Sequence, residues 1–332
     1  MSQTLSDIAK ALVVDGKGIL AADESSPTIK KRFDSIGVES TEDNRRDYRQ
    51  MLFTSPDAGR YISGVILFDE TLRQSASDGT PLVDIITSGG MIPGIKVDKG
   101  AKDLAGFPGE KVTEGLDGLR DRCNEYVQLG AKFAKWRAVY TVGEAGPSAA
   151  CLTANAHALA RYAAIAQEAG LVPIVEPEVL MDGDHSIDDC QVVSEEVLRT
   201  VFAELAVQEI ELEGMLLKPN MVLSGSDCPE QAGVEEVAKR TIETLKRAVP
   251  AAVPGIVFLS GGQSDEVATL HLNAMNKLGE RLPWQLSFSY GRALQAAPLK
   301  AWGGSAENLA SAQAAFLERA KANGAATLGT YA

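Results

Sequence analysis

The sequence predicts a (β/α)8 TIM barrel, a fold of the α/β class. Eight short apolar runs with strand-favouring residues recur about forty residues apart along the 332-residue chain. Segments with the apolar spacing of helices lie between them, and this alternation is typical of parallel sheets. Eight such units form a barrel of about 250 residues and leave length for insertions. No Pro- or Ser-rich linker divides residues 1–332, so we expect a single domain.

The predicted strands share an apolar centre. They are Gly18–Asp23, Ile62–Phe68, Met91–Val97, Phe133–Ala138, Val172–Val179, Met215–Asn220, Gly255–Ser260 and Gln285–Tyr290. The clearest helical patterns are Thr153–Gly170, Ser194–Glu213, Val234–Val249, Ser264–Gly279 and Ser305–Gly324. In the first of these helices we expect Thr153 to be the N-cap and Gly170 to end the helix. The remaining length is assigned to an N-terminal helical extension and to the segment Asp98–Gly130.

Two other architectures have a similar spacing of elements. A doubly wound sheet of eight strands remains an alternative, because it also alternates strands and helices. Helical and propeller repeats have periods near forty residues, but they show a recurring motif that these eight units lack.

Composition argues against several classes of function. With 32 Lys and Arg against 45 Asp and Glu, the net charge is −13, which disfavours sequence-independent binding of nucleic acid or anionic lipid. The longest apolar runs, such as Ala251–Phe258, are far shorter than the ~20 residues of a membrane span. Met1–Leu12 lacks the pattern of a signal peptide, and the four cysteines form no Cys-x-x-Cys pair. We therefore expect a soluble, cytoplasmic protein without nucleic-acid or membrane partners.

Charged side chains interrupt three consecutive predicted strands. Lys135 and Arg137 lie two residues apart and so point to the same side of their strand. Glu176 and Glu178 repeat this spacing in the next strand, and Lys218 lies in the strand after it. One such residue alone is more often part of a structural ion pair, because an unpaired buried charge is costly. Together, at the strand ends where barrels carry their chemistry, they predict a catalytic cluster.

This cluster suits chemistry on a ketone. Asp23 closes the first predicted strand and Lys96 lies near the end of the third, so both are candidates for the same site. A lysine near other cations and an apolar wall has a lowered pKa and can attack a carbonyl carbon as a neutral amine. The resulting iminium withdraws electrons from the adjacent carbon–carbon bond, and a neighbouring glutamate can donate the proton that dehydrates the carbinolamine. Such a Schiff-base lyase needs neither a metal nor another cofactor.

Two turns are candidates for binding phosphate. Ser260–Gly262 ends the seventh predicted strand and Ser289–Arg292 ends the eighth. Small residues let backbone N–H groups converge on an anion, and arginine adds bidentate hydrogen bonds. For Ser260–Gly262 alone a plain turn is an equal alternative, but strands seven and eight of barrels recurrently carry phosphate sites.

Other polar segments are weaker candidates. The loop Asp182–Asp189 has carboxylates at metal-like spacing but lacks the signature of a calcium loop. We interpret His271 as a packed or half-buried helix residue, and His157 lies in a helical pattern among alanines without a second histidine at ligand spacing. We expect no metal site.

Ten segments match one known family. They are GILAADES, TEDNRRDYRQ, GIKVDKG, GLDGL, FAKWR, VPIVEPE, LLKPNMV, FLSGGQS, FSYGRALQ and LKAWGG, and they span nearly the whole chain. In these motifs the chain resembles the class I fructose-bisphosphate aldolases, glycolytic enzymes that use a lysine Schiff base. The resemblance implies reversible cleavage of fructose 1,6-bisphosphate to dihydroxyacetone phosphate and glyceraldehyde 3-phosphate, in glycolysis or gluconeogenesis. It also implies a metal-independent homo-oligomer, usually a tetramer.

The resemblance assigns roles to the cluster. Lys218 corresponds to the Schiff-base nucleophile, Glu176 to the general acid and base, and Lys135 to the charge beside them. Asp23 is implied to assist deprotonation of the hydroxyl on carbon 4, and Glu178 to tune the cluster electrostatically. The residues implied to bind the phosphate of the ketone-derived half are Ser260, Gly261, Gly262, Ser289, Gly291 and Arg292. Those implied near the other phosphate are Ser25, Arg32, Lys96 and Arg137.

Alternatives remain at this point. Another Schiff-base barrel, such as a transaldolase, would also use a strand lysine, although two sets of phosphate residues favour a bisphosphate. A scaffold that lost catalysis would lack Lys218, Glu176 or Lys135, and all three are present.

The turn Ser25–Thr28 departs from the commonest family loop. In animal aldolases a mobile tail carries a tyrosine that transfers the proton at carbon 3, but Tyr331 resembles an earlier segment of those chains, so we expect it not to have this role.

Overall fold

The computed structural model describes residues 3–143, 146–279 and 281–332 and contains a closed barrel of eight parallel strands. The strands are β1 (Gly18–Ala22), β2 (Ile62–Leu67), β3 (Ile92–Lys96), β4 (Phe133–Tyr140), β5 (Val172–Val179), β6 (Leu216–Leu217), β7 (Gly255–Phe258) and β8 (Gln285–Tyr290). Each strand pairs with the next, and Ile19 of β1 pairs with Ser289 of β8 to close the barrel. The predicted (β/α)8 fold is therefore confirmed, and the doubly wound alternative is wrong.

The helices surround this barrel. In the described parts of the chain they are α1 (Leu5–Leu12), α2 (Ser26–Asp34), α3 (Glu42–Phe53), α4 (Asp69–Arg73), α5 (Leu82–Ser88), α6 (Leu119–Gln128), α7 (Ala149–Glu168), α8 (Ile187–Val207), α9 (Val234–Ala248), α10 (Asp265–Lys277), α11 (Arg292–Trp302) and α12 (Leu309–Thr327). Short 3-10 helices cover Ala58–Arg60, Leu212–Gly214 and Ala306–Asn308. None of the helices in these ranges is long and apolar enough to cross a membrane.

The N-terminal extension closes one end of the barrel. Ile8 and Leu12 of α1 join the inner apolar cluster formed by strand residues such as Phe133 and Val172. These partners lie at the beginnings of β4 and β5, so α1 covers the end of the barrel opposite the predicted catalytic end. The other predicted insertion, Asp98–Gly130, contains α6 and an antiparallel pair of short strands, Ala101–Asp103 and Lys111–Thr113.

Several predicted boundaries are wrong, for local reasons. α7 begins after Ser148, whose hydroxyl accepts a hydrogen bond from the backbone N–H of Cys151, so Thr153 lies inside the helix and is not its cap. α8 begins at Ile187 because Ser186 and Asp189 form a reciprocal capping box, seven residues before the predicted start. β6 has only two residues, because Pro219 has no backbone N–H to continue the ladder after Lys218.

The last residues lie against α10. The backbone N–H of Tyr331 donates to the side-chain oxygen of Asn273, and its carbonyl accepts from the Asn273 amide, both at 3.0 Å. The Tyr331 side chain is partly buried against the main apolar core. This end of the chain is therefore fixed to the outer helical layer.

Candidate active site

The strand register brings the charged residues to one level. Lys96 of β3 pairs with Lys135 of β4. The backbone N–H of Lys218, directly after β6, donates to the carbonyl of Val175 at 2.8 Å, which places Lys218 beside Glu176 of β5. Paired residues of parallel strands share one side of the sheet, so these side chains converge at the carboxyl ends of the strands.

Glu176 lies between two buried lysines. Its Oε1 is 3.2 Å from Nζ of Lys218, and its Oε2 is 3.2 Å from Nζ of Lys135. All three residues are at most 4% exposed. Burial is the largest influence on Glu176 and opposes its ionisation, but the charges of Lys135, Lys218 and Arg137 outweigh it and lower its pKa. The carboxylate form of Glu176 is therefore favoured near neutral pH.

Lys135 is a cation shared by three carboxylates. Its Nζ lies 2.8 Å from Oδ2 of Asp23 and 3.9 Å from Oδ2 of Asp98, besides its contact with Glu176. Burial disfavours the ammonium, but Asp23, Glu176 and Asp98 together outweigh burial and raise the pKa of Lys135. Burial also opposes ionisation of Asp23, and the charges of Lys135, Lys218 and Lys96 reverse the effect and lower its pKa.

These side chains surround a cavity of about 230 Å³ at the carboxyl ends of the strands. Thirteen of the fifteen site residues predicted from the sequence line it. They are Asp23, Ser25, Arg32, Lys96, Lys135, Arg137, Glu176, Glu178, Lys218, Ser260, Gly261, Ser289 and Gly291. A larger groove of about 760 Å³ lies outside the barrel between α9 and α10, but none of the described charged residues that line it is buried.

The two other predicted residues lie next to this cavity. Gly262 follows the turn lined by Ser260 and Gly261, and a Cβ atom there would approach Sδ of Met181 to 2.8 Å, so only glycine fits without a shift. Arg292 is the first residue of α11 and lines an adjoining groove of about 600 Å³. Arg32 lines both the groove and the cavity, so the two spaces share a wall.

The wall near Arg32 contains polar contacts suited to an anion. An Arg32 guanidinium nitrogen lies 2.5 Å from Oε1 of Glu24, which also accepts a hydrogen bond from Gln295. Arg137, which also lines the cavity, pairs with Glu178. The Ser289 hydroxyl is fully buried, and Ser289 lines the cavity; this hydroxyl makes no hydrogen bond to the residues that the structure describes. It is therefore available to a ligand.

Sequence reasoning missed two acidic residues of the site. Asp98 lies 3.5 Å from Lys96 as well as near Lys135, and its position two residues after Lys96 is the same alternation that identified the other strand residues. Glu24 forms an ion pair with Arg32. Because Glu24 follows Asp23 directly, alternation along the strand predicts that its side chain points away from the side that carries Asp23. The short turn before α2 redirects it, and the sequence gives no comparable signal there.

The weaker candidates lie elsewhere. His271 is buried in α10, and His157, on the outer surface of α7, lies 3.0 Å from Oε2 of Glu204. Among the residues that the structure describes, no group of three His, Cys, Asp or Glu side chains is arranged to hold a metal ion, the Asp182–Asp189 loop included.

Comparisons with known proteins agree with this geometry. A family model described as glycolytic fructose-bisphosphate aldolase class-I matches residues 4–332. A probable fructose-bisphosphate aldolase class 1 of Xanthomonas campestris is 59% identical over 330 residues, 99% of this chain and 98% of that protein. A cytosolic fructose-bisphosphate aldolase 4 of Arabidopsis thaliana is 58% identical over 95% of this chain and 80% of that protein.

A solved structure extends the likeness to three dimensions. The fructose-bisphosphate aldolase of Plasmodium falciparum, crystallised with TRAP and a small molecule inhibitor, is 52% identical to this chain. It superposes with a TM-score of 0.97, covering 99% of this chain and 95% of that one. Identity at this level over nearly the full length of each chain shows common family membership as well as a common fold. The chain belongs to the class I fructose-bisphosphate aldolases, which are lyases acting on phosphorylated sugars.

Proposed function

We propose that Lys218 is the amine that forms the Schiff base in this aldolase and that Glu176 transfers the protons around it. The observation that carries this assignment is the 3.2 Å distance between Lys218 Nζ and Glu176 Oε1 at the buried floor of the cavity. A nucleophile and its base at hydrogen-bonding distance, both excluded from bulk water, have the arrangement that amine attack requires.

The first half of the reaction follows from this pair. The Glu176 carboxylate accepts a proton from the Lys218 ammonium, and the free amine attacks carbon 2 of the ketone to form a carbinolamine. Protonated Glu176 then returns its proton to the carbinolamine hydroxyl, which leaves as water, and a protonated iminium remains. The nearby Lys135 ammonium stabilises the Glu176 anion that exists before the first transfer and after the second, which is consistent with the lowered pKa of Glu176.

Cleavage of the carbon–carbon bond needs a second base. We assign it to Asp23, whose lowered pKa keeps it ionised and whose carboxylate lines the same cavity. Asp23 accepts the proton of the carbon 4 hydroxyl, the bond between carbons 3 and 4 breaks, and its electron pair neutralises the iminium to give an enamine. Glu178 acts at longer range, because its carboxylate is paired with Arg137 and not with either lysine.

Two sets of residues are assigned to the two phosphates. Ser260, Gly261 and Ser289 form one side of the cavity, next to the start of α11, and helix starts favour anions. This side, with Gly262, Gly291 and Arg292, is assigned to the phosphate of the ketone-derived half. The second set comprises Ser25, Arg32, Lys96 and Arg137.

Three further properties belong to the proposal. We infer that residues 1–332 act as a single domain, because one barrel accounts for every strand of the site. We also propose a cytoplasmic enzyme, supported by relatives named as cytosolic and by four cysteines without disulfides. Family membership supports a homotetramer.

Covalent trapping tests the central assignment. Borohydride reduction in the presence of dihydroxyacetone phosphate should add the mass of the reduced ligand to the peptide that contains Lys218. Lys218→Met should remove both the label and the cleavage activity. In Lys135→Met we expect a smaller fraction of the protein to be labelled, but the label should still be on Lys218. A label on Lys135 in the parent protein, or normal turnover by Lys218→Met, would contradict the assignment.

A further inference from the structure

His271 contacts the site through one intermediate residue. It lies buried on α10 outside the cavity, and its Nδ1 is 2.6 Å from Oε1 of Gln263. Gln263 is also buried and directly follows the turn Ser260–Gly262. The side-chain amide of Gln263 therefore links a histidine on the helix to a turn that lines the cavity.

The other contacts of Gln263 fix the direction of this hydrogen bond. Its Nε2 donates to the carbonyl of Ser260 at 3.1 Å and approaches Sδ of Met221 to 3.6 Å. A flipped amide would bring Oε1 against the Ser260 carbonyl and leave two acceptors facing each other. Oε1 must therefore face His271, and Nδ1 of His271 must carry the proton. Burial lowers the pKa of His271 to about 4, so the ring is neutral near pH 7 and this tautomer is the one the contact selects.

Gln263 also connects the turn to the segment that contains Lys218. Met221 lies three residues after Lys218, and the carbonyl of Pro219, directly after Lys218, accepts a hydrogen bond from Leu259 at 3.1 Å. The turn is thus bound on one side to the nucleophile's segment and on the other side to α10. The second of these links depends on the imidazole N–H.

We propose that His271 is a positioning residue that orients Gln263 and thereby holds the Ser260–Gly262 turn in its phosphate-binding geometry. This inference rests on the proposed function, which assigns the turn to the phosphate of the ketone-derived half. His271 does not touch the substrate. Its loss should therefore weaken binding of that phosphate and leave the covalent chemistry at Lys218 largely unchanged.

Paired variants distinguish positioning from packing. His271→Leu removes the donor, whereas the side-chain nitrogen of Asn can occupy the place of Nδ1 in His271→Asn. Gln263→Glu keeps an acceptor for His271 but cannot donate to the Ser260 carbonyl. His157→Leu is a matched control on the outer surface. The measurements are kcat and KM for fructose 1,6-bisphosphate and inhibition constants for dihydroxyacetone phosphate and unphosphorylated dihydroxyacetone.

We expect His271→Leu and Gln263→Glu to raise KM and the inhibition constant for dihydroxyacetone phosphate about tenfold, which corresponds to the loss of one hydrogen bond to the charged phosphate. The value of kcat should stay within about threefold of the parent. His271→Asn should restore both constants to within about twofold, and dihydroxyacetone should bind all variants equally. Unchanged constants in His271→Leu or Gln263→Glu would overturn the proposal, as would failure of Asn to restore binding. If the parent protein bound both ketones equally, the phosphate assignment itself would fail, and this inference with it, while labelling of Lys218 would still test the rest.

Discussion

Nζ of Lys135 lies 2.8 Å from Oδ2 of Asp23, so a buried lysine on β4 forms an ion pair with a partly buried aspartate directly after β1. In the barrel β2 and β3 lie between these two strands. The same ammonium contacts Glu176. Lys135 therefore keeps both proposed bases ionised in the substrate-free enzyme, and removal of its charge should raise the pKa values of both carboxyls.

The first prediction concerns stability against pH. Asp23 and Glu176 have lowered pKa values in the folded chain, compared with ordinary values of 3.8 and 4.5, so their contribution to stability is present above those values and is lost as the pH falls. Lys135→Met removes the charge that lowers them. We expect the parent to lose more unfolding free energy than Lys135→Met as the pH falls from about 4.5 towards about 3, where these carboxyls are protonated in the unfolded chain but still ionised in the folded parent.

Urea denaturation of both proteins at several pH values measures this difference. The other carboxylates contribute equally to the pH dependence of both proteins, so their contribution drops out of the comparison. Lys135→Arg, which keeps the charge, serves as the control and should follow the parent. Parallel curves for the parent and Lys135→Met would show that Lys135 does not control these pKa values.

The second prediction separates the two glutamates of β5. Glu176→Gln should lower kcat by roughly 10²–10⁴-fold with little change in KM, because a proton-transfer group acts mainly in the transition state. Glu178→Gln should cost less than about tenfold, since Glu178 pairs with Arg137 and contacts neither lysine. Steady-state measurements of kcat and KM for both variants test these expectations. A raised KM with unchanged kcat in Glu176→Gln would reduce Glu176 to a binding residue.

The cluster was predictable because alternation along a strand is a strictly local rule. The spacing of Lys135 with Arg137 and of Glu176 with Glu178 predicted which side chains point into the barrel, and the cavity contains all four. Contacts that depend on turns between elements, such as the pairing of Glu24 with Arg32, cannot be predicted from this two-residue alternation. The start of α8 was missed because the acidic residues around Ser186 were interpreted as a loop, although they supply the capping box.

The third prediction concerns the adjoining groove. Arg292→Ala should weaken binding of fructose 1,6-bisphosphate and of dihydroxyacetone phosphate to a similar extent, by about 1.5–3 kcal/mol, because a phosphate loses a charged hydrogen-bonding partner. Lys300→Ala is a matched control, since Lys300 lies in the last turn of the same helix and lines the same groove. Binding constants for both ligands provide the measurement. A loss confined to the bisphosphate would assign Arg292 to the other phosphate, on the side of Arg32.

The fourth prediction concerns metal removal. In the proposed mechanism the protonated iminium on Lys218 is the electron acceptor, so no metal ion is needed to polarise the ketone. Cleavage measured in a coupled assay should be unchanged after dialysis against excess chelator, provided that the coupling enzymes are controlled separately. Activity that disappears with chelator and returns with a divalent cation would contradict the Schiff-base route.

The fifth prediction concerns the proton at carbon 3 of the enamine. The backbone of Tyr331 is bound to Asn273 on the outer helical layer, so its phenol is held away from the residues that line the cavity. Tyr331→Phe should leave exchange of that proton within a few-fold of the parent, with Glu176 or a water molecule serving instead. The measurement is solvent exchange into dihydroxyacetone phosphate. A hundredfold slower exchange with intact cleavage would show that Tyr331 transfers the proton.

The position of Glu176 between two lysines has a consequence for the energetics of the whole catalytic cycle. A lysine ammonium and the protonated iminium that replaces it both carry one positive charge, so covalent attachment of the substrate leaves the total charge around Glu176 unchanged. The buried dipoles and counter-charges need no rearrangement to accommodate the intermediate, which avoids the reorganisation that water would have to undergo. The carboxylate of Glu176 is therefore already placed to balance the positive charge of the iminium when it forms.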